Sequence, residues 1–103
     1  MDPLFELNGK LILVSGGSRG IGKALVSGFA KRGARVVFTG RDEDSLESAK
    51  KELAEDSSEV FPERCDVSRV EEVEALVNRV RKQHCLIDVL VNVAGVNRRQ
   101  RAE

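Results

Sequence analysis

The chain has 103 residues, 41% of them hydrophobic and 33% charged, and its seventeen basic and seventeen acidic side chains cancel. This length suits one small domain with a modest core, and neutrality argues against a general nucleic-acid or anionic-membrane binder. No apolar run approaches the roughly 18–20 residues of a membrane span. The N-terminus, MDPLFELNGK, has no basic stretch leading into an apolar one, so it is not read as a signal peptide. Cys65 and Cys85 lack metal-ligand spacing, which leaves two idle thiols in a cytoplasmic protein with no metal as the expectation.

In chain order, KLILVS (Lys10–Ser15) places four apolar residues consecutively, the pattern of a central parallel strand buried on both faces. A glycine-rich stretch, SGGSRGIGKA (Ser15–Ala24), follows. Ile21, Leu25 and Phe29, with Ala24 alongside, predict the apolar stripe of a first helix, closed by Lys31, Arg32 and Gly33. ARVVFTG (Ala34–Gly40) reads as a second strand. RDEDSLESAKKELAED (Arg41–Asp56) reads as a second helix with Leu46, Ala49 and Leu53 on one face.

EVFPERCDV (Glu59–Val67) is a weaker third strand, whose Pro62 suits an edge. Ser68 opens a third helix, with Glu71 completing a capping box and Val70, Val73, Leu76, Val77 and Val80 as its buried stripe. LIDVLVNVAG (Leu86–Gly95) is a fourth strand, again apolar on both faces. The β-α-β-α-β-α-β alternation predicts an α/β fold: a doubly wound, Rossmann-like parallel sheet in strand order 3-2-1-4. Ligands of such sheets bind beyond the carboxyl ends of the strands. The glycine loop, Gly40-Arg41, Asp66-Val67 and NVAG (Asn92–Gly95) all fall on that edge.

Two phosphate-binding patterns compete in the glycine loop. Gly17, Gly22 and Lys23 fit G-x-x-x-x-G-K, but a P-loop needs a Ser or Thr next to hold Mg²⁺, and Ala24 stands there. The dinucleotide reading fits better. Gly16 allows a tight turn out of the strand, Gly20 lets the backbone approach a pyrophosphate, and Gly22 lets the helix lie close on the sheet. Lys23 is then a first-turn surface residue. The basic cluster Arg98, Arg99 and Arg101 reads as solvated or loop-anchoring.

With these residues in view, the chain resembles the short-chain dehydrogenase/reductase family over nearly its whole length. SGGSRGIG resembles the family's T-G-x-x-x-G-[IL]-G, with Ser15 in the threonine's place. CDV (Cys65–Val67) resembles its D-V motif, and NVAG its N-N-A-G, with Val93 replacing the second asparagine. The resemblance implies a cofactor site built from Ser15, Gly16, Gly17, Ser18, Arg19, Gly20, Ile21, Gly22, Asp66, Val67, Asn92, Ala94 and Gly95. Asp66 would accept from the adenine amino group, with the next backbone N–H in support. AGVNRR (Ala94–Arg99) further resembles the gluconate 5-dehydrogenase-like branch.

The second strand's end bears on which nucleotide is held. An acid there would bind the ribose hydroxyls and repel a 2′-phosphate; the resemblance implies that NAD-preferring members carry it where this chain has Gly40. Arg41 follows and suits a 2′-phosphate, and the resemblance implies Arg19 as a second basic position, as in NADP-preferring members of the family. Asp42 is read as the cap of the second helix. NADP(H) is therefore favoured over NAD(H), for which Asp42 would instead serve as the ribose acid.

The resemblance implies chemistry by a serine, a tyrosine and a lysine four residues after it; this chain contains no tyrosine, and none of its serines lies in the family's catalytic context. No catalytic residue is assigned, and His84 is expected on the sheet edge opposite the cofactor. Residues 1–103 are expected to be the cofactor-binding part of a longer, homo-oligomeric oxidoreductase lacking its catalytic half, marginally stable or self-associating when isolated. A complete nucleotide-binding module without catalysis is the alternative. The parent's small-molecule substrate would be a keto-gluconate, a β-ketoacyl thioester or another small carbonyl compound, with neither nucleic acid nor membrane as a partner.

Overall fold

The computed structural model describes residues 7–16, 20–55, 59–84 and 86–93. Its elements follow one another as β1 (Leu11–Ser15), α1 (Gly20–Lys31), β2 (Arg35–Gly40), α2 (Glu43–Leu53), β3 (Val60–Arg64), α3 (Val70–Gln83) and β4 (Val89–Asn92). The four strands form one parallel sheet in the order β3-β2-β1-β4. Both the alternation and the order are as the sequence predicts.

Strand periodicity divides the apolar residues between two cores. Ile12 and Val14 of β1 and Val36 and Phe38 of β2 face α1 and α2, where they meet Val26, Ala30, Leu46, Ala49 and Leu53. Leu11, Leu13 and Val37 point the other way, against Leu76 and Val80 of α3. This two-sided burial explains why β1 and β2 read as unbroken apolar runs. Pro62 lies on the outermost strand, opposite Phe38, where its missing N–H costs no ladder bond. At the other edge, β4 leaves Val89 and Leu90 exposed.

The helix faces depart from the predicted stripes in two places. In α1 the buried residues are Gly22, Val26 and Ala30; Leu25 and Phe29 flank them half-buried, while Ile21 and Ala24 are exposed. Small residues let the helix axis approach the sheet, so the contact face runs through Gly22 and Ala30. In α3, Leu76 and Val80 are buried and Val73 half-buried, but Val70 is exposed. Val70 is the first helical residue and precedes the turns that reach the sheet.

The helix ends show how local chemistry sets the loops. α1 closes as predicted: Gly33 has φ +91°, its N–H donates to Ala30 O at 3.0 Å, and Ala34 N–H donates to Phe29 O at 3.2 Å. This pair of bonds is a Schellman closure, which needs glycine in the left-handed region. Asp42 caps α2 as predicted, accepting from Asp44 N–H at 3.1 Å. The capping box expected from Ser68 and Glu71 does not form. Arg69 is the N-cap of α3 and makes no side-chain cap bond, while Ser68 turns back to Asp66. The helix starts too late for Ser68 to reach its free N–H groups.

Candidate functional site

The strand register brings the predicted ligand-binding edge together. Ser15 at the end of β1 pairs with Asn92 at the end of β4, and Gly40 at the end of β2 pairs with Arg64 on β3. Backbone bonds extend both pairings past the strands. Val93 N–H donates to Ser15 O at 3.0 Å, and Cys65 N–H donates to Gly40 O at 2.9 Å. Ser15, Gly16, Arg41, Asp66, Val67 and Asn92 thus lie at or just past the carboxyl ends of four adjacent strands. Of the other predicted site residues, Gly20, Ile21 and Gly22 lie in the first turn of α1. Gly17, Ser18, Arg19, Ala94 and Gly95 lie outside the described residues.

Gly16 leaves β1 at φ +93°, a left-handed backbone that favours glycine. Its N–H donates to Thr39 Oγ1 at 3.0 Å. Thr39 is the one buried polar side chain among the described residues, at 1% exposure, so β2 holds the start of the glycine turn from beneath. Gly20 enters α1 at φ +60°, and a Cβ there would meet nothing within 4 Å. Glycine at this position answers to the backbone, with open space above it. No acidic residue occupies the first turn of α1, so its free N–H groups and positive dipole end suit an anion.

Lys23 points sideways, pairing with Glu52 of α2 at 2.5 Å. That engagement, with no hydroxyl on Ala24 beside it, speaks against the triphosphate reading of the loop.

At the end of β2 the two charged neighbours separate. Asp42 accepts from Asp44 N–H at 3.1 Å and from Ser45 Oγ at 2.8 Å, both within its own helix start. Arg41 is exposed at the edge, near enough for its charge to act on Asp66.

Asp66 Oδ1 accepts from Ser68 Oγ at 2.7 Å and from Ser68 N–H at 3.1 Å. Those two bonds hold its carboxyl below the usual carboxylate range, with Arg41 and Arg69 adding smaller effects. Asp66 is therefore an acceptor at neutral pH, and among the described residues no hydrogen bond reaches its Oδ2. Because the folded-state pKa is the lower one, this interaction stabilises the fold above the ordinary carboxylate pKa and is lost as pH falls from there through the lowered folded-state value. Next to it, burial and then the charge of Glu72 push the Cys65 thiol up, which makes it a poor nucleophile.

Two residues behind the site escape sequence reading. Thr39 stands out only as a hydroxyl inside an apolar strand, and its bond spans 23 residues. Glu72 has no local signature, yet its Oε1 accepts from Asp66 N–H at 2.8 Å. His84, by contrast, is far from this edge as predicted. It meets Arg35, the first residue of β2, at 2.8 Å through Nδ1, and its ring lies 4.6 Å from that of Phe61.

The model of the short chain dehydrogenase family matches residues 10–103. An uncharacterized oxidoreductase of Staphylococcus haemolyticus is 40% identical over 93 residues, 90% of this chain and 39% of that protein. Gluconate 5-dehydrogenase of Gluconobacter oxydans is 38% identical over 96 residues, 93% of this chain and 38% of that protein. The chain thus spans about two-fifths of the length of the curated relatives it matches. A solved metagenomic short-chain oxidoreductase in complex with NADP superposes with a TM-score of 0.77 at 35% identity, over 82% of this chain and 38% of that one. No described helix is long and apolar enough to cross a membrane. On the match of 94 consecutive residues to the family model, together with the sheet order and the glycine turn, the chain belongs to the short-chain dehydrogenase family.

Proposed function

We propose that this chain is the NADP(H)-binding portion of a cytoplasmic oxidoreductase that moves a hydride between the nicotinamide and a small carbonyl or alcohol substrate. The observation that carries the nucleotide preference is the division of labour after β2. Asp42 caps α2, Gly40 offers no acid, and Arg41 stands exposed at the edge. In this reading Arg41, with Arg19, receives the 2′-phosphate, the N–H groups at the start of α1 receive the pyrophosphate, and Asp66 Oδ2 accepts from the adenine amino group. Gly17, Ser18, Ala94 and Gly95 complete the lining.

The bound nicotinamide supplies the hydride chemistry, and the protein's part here is to hold and orient it. No proton-transfer residue is assigned within these 103 residues, which contain no tyrosine. A polyol or sugar acid, such as a keto-gluconate, is the favoured substrate class. The kinship with gluconate 5-dehydrogenase of Gluconobacter oxydans and with 5-keto-D-gluconate 5-reductase of Escherichia coli supports it.

The test uses fragments of the cofactor. Adenosine 2′,5′-bisphosphate should bind more tightly than AMP, by about ten-fold for one charge-assisted phosphate contact in partly exposed surroundings. Equal affinities in a calorimetric titration would remove the NADP(H) preference.

A further inference from the structure

We infer that Glu72 is a positioning residue for adenine recognition, holding Asp66 so that its Oδ2, which accepts no hydrogen bond among the described residues, faces the base. The inference rests on the cofactor reading above and adds to it the residue that sets the selectivity of the adenine end. Asp66 is fixed from two sides. Ser68 takes its Oδ1 through both hydroxyl and backbone N–H. Glu72, one turn into α3, takes the backbone N–H of Asp66 itself at 2.8 Å. With Oδ1 and the main chain both tied, the direction of Oδ2 is set by the protein before any ligand arrives.

Glu72 is itself held. Its Oε2 lies 3.6 Å from Arg69 Nε, and its Oε1 lies 4.0 Å from Arg64 Nη1. These contacts bracket the carboxylate between the end of β3 and the start of α3. The arrangement replaces the predicted capping box. An acid in the first turn of α3 does reach back to an unpaired main-chain N–H, but it is Glu72 and not Glu71, and the N–H is that of Asp66. A capping role alone would be satisfied by any N–H at the helix start. This one belongs to the residue whose side chain meets the ligand.

An acceptor aimed at an exocyclic amino group distinguishes adenine from hypoxanthine, which carries a carbonyl oxygen there. The experiment measures the affinities of the chain for NADP⁺ and for its hypoxanthine analogue. The wild-type chain should favour NADP⁺ by about ten-fold, the value of one hydrogen bond to a charged group. Glu72→Ala should bring the two within about three-fold while leaving the affinity for adenosine-free pyrophosphate unchanged. Glu72→Gln, which keeps an acceptor oxygen, should restore the preference.

Discrimination retained in Glu72→Ala, or lost equally in Glu72→Gln, overturns the inference and leaves the cofactor reading standing. A wild-type chain that binds both dinucleotides equally overturns the role of Asp66 and this inference with it. Binding of neither overturns the cofactor reading itself. Should Glu72→Ala fail to fold, Glu72→Asp, a methylene too short to reach the Asp66 N–H, makes the same comparison.

Discussion

Replacing Arg41 with Asp is expected to lower the affinity for NADP(H) by about a hundred-fold and to leave the affinity for NAD(H) within a few-fold. Two effects of similar size add. The guanidinium loses its charge-assisted bonds to a phosphate dianion, and the new carboxylate repels the same group. At about 1.4 kcal/mol per decade the total is close to 2.7 kcal/mol, within the reach of one charge reversal at a partly exposed site. Arg41→Ala should show only the first effect, about ten-fold.

The fold should survive either change. Arg41 is exposed and precedes the N-cap of α2, where an added negative charge meets the favourable end of the helix dipole. Titrations of both variants with both dinucleotides, beside a thermal melt, separate the effects. Unchanged NADP(H) affinity in Arg41→Asp would take Arg41 out of the site.

Phe38→Ala should unfold the chain or come close to it. Phe38 is fully buried at the centre of β2. It lies opposite Val14 on β1 and Pro62 on β3, within the cluster that joins α1 and α2 to the sheet. Truncating a buried phenylalanine costs about 3–5 kcal/mol, and a small domain has only about 5–15 kcal/mol in total. Val70→Ala, at a side chain 69% exposed, should change stability by less than about 0.5 kcal/mol although helical periodicity places Val70 in the buried stripe of α3. Urea titration followed by circular dichroism distinguishes them. Similar midpoints for the two variants would contradict the burial described here.

The contrast between Phe38 and Val70 marks what the sequence carries and what it does not. The topology was legible because β1 and β2 announce themselves as apolar runs, and because strand–helix alternation admits few arrangements. Helix orientation was less legible. Hydrophobicity favours Ile21 and Ala24 for the contact face of α1, but the face that meets the sheet runs through Gly22, Val26 and Ala30, where small size decides the approach.

The site divides in the same way. The turns that need glycine, and the acid and base after β2, are written locally. Asp42 could be assigned to its helix because a cap bonds two residues away. Thr39 and Glu72 act on residues 23 and 6 positions away. Their contacts exist only once β2 lies beside β1 and α3 has folded back over the end of β3. Local spacing also misplaced the acid of α3 by one residue, since whether Glu71 or Glu72 reaches an N–H depends on where the helix begins.

The central claim is that the carboxyl edge of this sheet holds a 2′-phosphorylated dinucleotide. The most direct measurement is a titration of the isotopically labelled chain with NADP⁺, followed by backbone amide shifts. The account predicts perturbations at Gly16, Gly20–Gly22, Arg41, Asp66, Val67 and Asn92, saturating at lower concentration than with NAD⁺, while Arg35, Phe61 and His84 at the opposite edge stay still. Perturbations centred on His84, or none at either edge, would contradict it.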